Sequence, residues 1–156
     1  MDARQRRQLI ETYRSGYQQV ANALVGITDS ELERHPGPGA WSPREIVHHL
    51  ADSELVGAMR LRLLLAEDGP AVEPYDQDRF AERLHYNRSY TASLEMFRAL
   101  RAGNAELLEL LTPAEWSRTG THPEVGEYSV ERWLEIYADH ARRHAEQILR
   151  ARESFR

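Results

Sequence analysis

Apolar residues recur every three to four positions along most of the chain, the spacing that lines one face of an α-helix. Residues 3–26 carry Leu9, Ile10, Tyr13, Tyr17, Val20 and Leu24 on one stripe, continued by Ile27. A second stripe runs from Ser42 to about Leu65. A third spans about Ser89 to Leu111 through Leu94, Phe97, Leu100 and Leu107, with Gly103 and Asn104 weakening its middle. A fourth runs from Ser129 to about Arg152 through Trp133, Ile136, Tyr137 and Ile148. The second begins sharply: Ser42 suits the cap, Pro43 the first helical position, and Glu45 completes a capping box.

The segments between these stripes are long. Thr28 heads TDSE, a capping signal for a brief helix ending before His35. PGPGA, residues 36–40, is a break, and EDGPAVEPYD, residues 67–76, is too rich in proline and glycine for a regular element. QDRFAERL suits one or two helical turns, and Thr112, Pro113 and Glu115 repeat the start signal for a short helix. TGTHPEVGEY, residues 119–128, is expected to be a loop. No segment alternates as a strand would. The pattern predicts an all-α protein, a four-helix bundle with short extra helices in the connections, forming a single domain over 1–156. Such long connections do not force simple up-and-down order.

Composition narrows the chemistry. The 156 residues contain no cysteine, which removes disulfides, thiolate catalysis and cysteine-ligated zinc. All 20 basic residues are arginine, so lysine Schiff bases and P-loop chemistry are excluded too. The net charge of −5, with dispersed arginines, argues against nucleic acid or a membrane surface as partner. No run approaches the roughly 18 to 20 apolar residues of a membrane span. The N-terminal MDARQRRQ lacks the apolar stretch of a secretory signal, so a cytoplasmic location is expected.

Histidine carries what signal remains. His140 and His144 are four apart, about 40° around a helix and about 6 Å along it, so both imidazoles can reach one ion. That spacing alone is weak evidence. Both share the stripe of Trp133, Ile136, Tyr137 and Ile148 and are expected to point inward. A buried imidazole must be hydrogen-bonded or ligated. Two readings stay open: metal ligands, or a pair of hydrogen-bonded, half-exposed side chains. On the second stripe, counting about 100° per residue from Ile46, His49 falls about 60° off its centre and His48 almost opposite. His49 is thus the inward candidate and His48 is expected to face solvent.

Three neutral imidazoles are a catalytic type of ligand set, leaving a position for water or substrate. HARRH departs from the metalloprotease motif, because Ala141 stands where its general base would be. Asp52, one turn beyond His49, could support a ligand from behind or be a solvated surface carboxylate. Arg60 could hold an anionic substrate or pair with a glutamate. Tyr137, one turn before His140, suits the core or a pocket hydroxyl. His35, His85 and His122 fall in turns or loops; His122 is the best of them, since its loop leads into the fourth helix.

WSPREIVHHLADSE followed at a distance by IYADHARRHAEQI resembles the DinB/YfiT-like superfamily of metal-dependent enzymes, and EPYDQDRFAE and HPEVGEYSVERW are similar to its YfiT branch. The similarity runs through roughly residues 20–150 and lies in the order and separation of these motifs. It implies a four-helix bundle of unusual helix order. It implies one divalent metal ion, zinc or nickel, on three histidines. Carried over residue by residue, these are His49, His140 and His144. It also implies a homodimer, and either a hydrolase or an enzyme joining a low-molecular-weight thiol to an electrophile. The expectation is an enzyme that activates water or a small thiol for attack on a small electrophilic substrate. Its rival is a non-catalytic bundle whose metal only ties helices together, in a stress-related binding role; a third reading is a metal-free bundle with satisfied core histidines.

Overall fold

The computed structural model describes residues 1–153; residues 154–156 of the expected domain lie outside them. Four long helices are present: α1 (Ala3–Leu24), α3 (Pro43–Ala66), α5 (Thr91–Glu109) and α7 (Val130–Glu153). Three short ones, α2 (Asp29–Leu32), α4 (Gln77–Arg83) and α6 (Pro113–Trp116), lie in the connections. The capping boxes at Thr28, Ser42 and Thr112 all form. Ser129 Oγ accepts from Arg132 N at 3.0 Å and so caps α7.

Contacts between the helices give the topology. Met1 and Arg6 at the start of α1 pair with Glu131 at the start of α7, while Arg152 near its end donates to Ala23 O. These two helices therefore run parallel. His48 reaches Ser93 and Arg62 reaches Asn104, so α3 and α5 are also parallel. By contrast His49 meets His144 while Gly57 meets Trp133, making α3 and α7 antiparallel. Arg14 pairs with Glu109 and Gly16 packs on Arg101, so α1 and α5 are antiparallel. Consecutive long helices α1 and α3 sit across a diagonal, as do α5 and α7. A parallel α3–α5 pair cannot be joined by a tight turn. The chain from Glu67 to Tyr90 makes the return, and α4 on that return packs against α3.

The core has two apolar clusters. One gathers Tyr13, Leu61, Leu64, Trp133 and Leu134, and the other Val20, Ile46, Leu50, Phe97 and Ile148. A charged group is buried with them. Arg101 donates to Glu54 Oε2 at 2.9 Å, to Tyr13 O at 2.9 Å and to Tyr137 O at 3.1 Å. The Tyr13 hydroxyl donates to Glu54 and accepts from Asn104 Nδ2.

Residues 119–128 are not simply a loop. Thr119–His122 (β1) pairs antiparallel with Gly126–Ser129 (β2), in the register Thr119 with Ser129 and His122 with Gly126. Gly126, at φ 76°, takes the left-handed conformation that lets the hairpin close. Pro70 O and Val72 N hydrogen-bond Thr121, so the return segment adds a third edge. Arg118, leading into β1, donates to Leu64 O and Glu67 O and caps the end of α3.

Candidate metal centre

The antiparallel contact between α3 and α7 brings together two segments about 90 residues apart. Ring centroids of His49 and His140 lie 5.4 Å apart, of His49 and His144 4.8 Å, and of His140 and His144 4.6 Å. One nitrogen from each ring lies within 4.8 Å of the others, so the three could hold a metal ion. His140 Nε2 and His144 Nε2 are 3.1 Å apart. Two nitrogens on one tetrahedral zinc, at about 2.0–2.1 Å each, sit about 3.3–3.4 Å apart, close to this bite.

Hydrogen bonding also fits an ion. Gln147 Oε1 lies 2.9 Å from His144 Nδ1, so Nδ1 carries the proton and the Nε2 lone pair faces His140. His49 Nδ1 and His140 Nδ1 are buried without a partner, so these two rings lack the orienting hydrogen bond that Gln147 gives His144. Burial, with the nearby charge of His144, pulls His49 down to about 3. Burial and the neighbouring His144 and His49 hold His140 well below the usual range. Burial lowers His144 as well. All three are neutral at pH 7, the form that binds metal.

Beside the trio lies a cavity of about 410 Å³, lined by the three histidines, Trp41, Gln77, Arg143, Gln147 and Arg150. Trp41 covers one side of His49 at 4.5 Å between ring centroids. A larger cavity of about 650 Å³ lies beyond Trp41 and holds Glu45, Asp78 and Glu82.

His48 departs from the sequence expectation. It does not face solvent; it is fully buried. Its Nε2 donates to Arg88 O at 3.2 Å, which leaves Nδ1 to accept from Ser93 Oγ at 2.7 Å, and it stacks on Tyr86. The wheel assumed one buried face, whereas the return segment and α5 cover the second face of α3. The same cover buries Asp52, which is no surface carboxylate and accepts from the Tyr86 hydroxyl at 2.7 Å. Arg60 donates to Glu73 O on the return segment. Tyr137 is buried, stacks on Trp133 and stands with its ring 6.1 Å from that of His140. None of Asp52, Arg60 and Tyr137 lines the cavity at the trio. His35 bonds Ala40 O, His85 takes a positive φ in its turn, and His122 accepts from Glu124 N; none joins the trio.

Residues 12–148 match the model of the DinB superfamily. The chain belongs to the DinB superfamily. This DinB protein is 35% identical, over 127 residues, to a "putative metal-dependent hydrolase" of Oceanobacillus iheyensis; the match covers 81% of this chain and 74% of that one. A protein of the same description from Bacillus mycoides is 31% identical over 135 residues, covering 86% and 78% respectively. The fold matches YfiT from Bacillus subtilis, described as a probable metal-dependent hydrolase with an unusual four-helix bundle topology. The TM-score is 0.92 at 27% identity, covering 99% of this chain and 90% of YfiT. Among the described residues no helix is long and apolar enough to cross a membrane.

The sequence reading missed Trp41, Gln77, Arg143, Gln147 and Arg150 as neighbours of the trio. For Gln147 the signal was present: it follows His144 by three and lies on the same face of the helix.

Proposed function

We propose that His49, His140 and His144 hold one divalent ion, zinc or nickel, and that this DinB protein is an enzyme acting on a small electrophilic substrate. The observation that carries this reading is the convergence of three neutral imidazoles beside a cavity with room for a small molecule. A bound divalent ion supplies the charge that acidifies a water or a thiol and polarises an oxygen. The chain does the rest. Gln147 fixes the tautomer of His144, burial keeps all three rings unprotonated, and Trp41 shields His49 from solvent.

Among the described residues no carboxylate lines this cavity. Hydrolysis asks for a nearby proton acceptor, whereas a thiol acidified by the ion would lose its single proton to solvent before it attacks. This favours transfer of a small thiol, while the names of the relatives favour hydrolysis. The scaffold reading asks for a fourth protein donor, and among the described residues no fourth histidine or carboxylate joins the group.

Calorimetric titration of the metal-free protein with zinc should give one ion per chain, and His144→Ala should abolish that binding. Full affinity in the variant would overturn the ligand assignment. X-ray absorption on the loaded protein should show three nitrogen donors plus an exchangeable light atom. Incubation with a model electrophile, with and without small thiols, then separates transfer from hydrolysis.

A further inference from the structure

We propose that the cavity at the histidine trio selects a small anionic substrate, held through a carboxylate or phosphate by Arg143 and Arg150. This rests on the reading of the trio as a metal site and names the class of molecule that site takes.

The charge distribution carries the argument. The whole chain has a net charge of −5, yet among the described residues this cavity is lined by two guanidiniums, two primary amides and no carboxylate. Imidazole is a neutral donor, so a set of three leaves a divalent charge wholly uncompensated. Across Trp41 the sign reverses, because the adjoining cavity presents Glu45, Asp78 and Glu82. An anionic group therefore has one favourable side, and a cationic group has the other.

Placement on α7 agrees. Arg143, Gln147 and Arg150 are spaced four and three apart, so they form a row beside the row of His140, His144 and Gln147. Arg143 lines the same cavity as His140 and His144. Its Nε stands 3.4 Å from Asp139 Oδ2, but Arg142 holds that carboxylate more closely, at 2.6 Å. The remaining N–H groups of the Arg143 fork stay available. Arg150 makes no ion pair with any described carboxylate. Two exposed arginines on a helix are ordinarily just solvated surface. Here they flank a three-imidazole centre, in a cavity to which the described residues bring no counter-charge.

The test uses cobalt(II)-loaded protein, whose thiolate-to-metal absorption reports binding of small thiols directly, without turnover. Mercaptoacetate, 2-mercaptoethanol and cysteamine are close in size and differ in charge. The wild-type chain should bind mercaptoacetate most tightly and cysteamine least. R143Q/R150Q should weaken mercaptoacetate by about fivefold per guanidinium, with cobalt affinity no weaker than in the wild-type chain and 2-mercaptoethanol binding retained. R143E/R150E should turn the preference toward cysteamine. Acetate and inorganic phosphate, each competing with 2-mercaptoethanol, separate the two oxyanions; displacement by either supports the proposal and displacement by neither overturns it. Mercaptoacetate binding that ignores both substitutions also overturns it. Failure of the wild-type chain to take up cobalt would bring down the metal reading and this one together. Normal uptake without charge preference sinks this one alone.

Discussion

Gly57 shows how tightly single residues are fitted behind the candidate centre. A Cβ there would stand 2.6 Å from Tyr137 Cε1, and the Gly57 carbonyl accepts the Trp133 indole N–H at 2.7 Å. Alanine would have to push Tyr137 off its stack with Trp133, one helical turn from His140. Overpacking of this kind costs about 1–3 kcal/mol. Gly57→Ala should therefore lower the urea midpoint and weaken zinc binding together; an unchanged midpoint would mean that Tyr137 yields without cost. At this scale the sequence was only partly legible. The i,i+4 pair on an apolar stripe marked His140 and His144, and the wheel preferred His49 over His48. Glu54, Arg101 and Asn104 also lie on inward stripes, yet charged and amide side chains are ordinarily read as exposed. Their burial depends on one another, and no single helix shows its partners.

Among the elements, α5 holds the other three helices through one side chain. From α5, Arg101 reaches Glu54 on α3, Tyr13 O on α1 and Tyr137 O on α7. Removing one member of a buried pair leaves an uncompensated charge and typically costs about 3–5 kcal/mol. Arg101→Met should lose stability on that scale in urea denaturation, whereas a loss under about 1 kcal/mol would mean that the network relaxes or admits water. The helices themselves were legible because capping boxes and 3.6-residue periodicity are local signals. The hairpin was not. TGTH and GEYS are short and mostly polar, and their pairing rests on the packing of Gly120 against Pro70 and Leu64 and on the burial of Tyr128 rather than on propensity. The burial of His48 and Asp52 was hidden for a related reason. It comes from the return segment folding back over α3, a consequence of topology rather than of α3's own pattern.

For the whole molecule, the parallel pairing of α3 with α5 makes the long return necessary. That return, with the antiparallel α3–α7 contact, takes four imidazoles wholly or partly out of water: His48 and His49 are buried, His140 and His144 half-buried. All four are lowered by burial as the first cause. The unfolded chain takes up protons on them near the ordinary value of about 6.5, while the folded metal-free chain does not. Above that value both states are neutral and the effect vanishes. Below it the unfolded state binds more protons, so stability falls as pH falls, down to about 3 for His49. Each group contributes a slope approaching about 1.4 kcal/mol per pH unit. Metal-free protein should thus lose stability between pH 7 and pH 5, above the range in which ordinary carboxylates titrate. His140→Gln should show a shallower slope over the same interval. A bound ion stabilises only the folded state, whose rings carry no protons in this range, so it leaves the difference in proton uptake between the two states as it was. Saturating zinc should therefore raise stability at pH 7, 6 and 5 by a similar amount without changing the slope. Parallel urea midpoints at pH 7, 6 and 5, with and without zinc, measure both effects, and identical slopes in wild type and His140→Gln would count against the desolvated, neutral imidazoles as the cause.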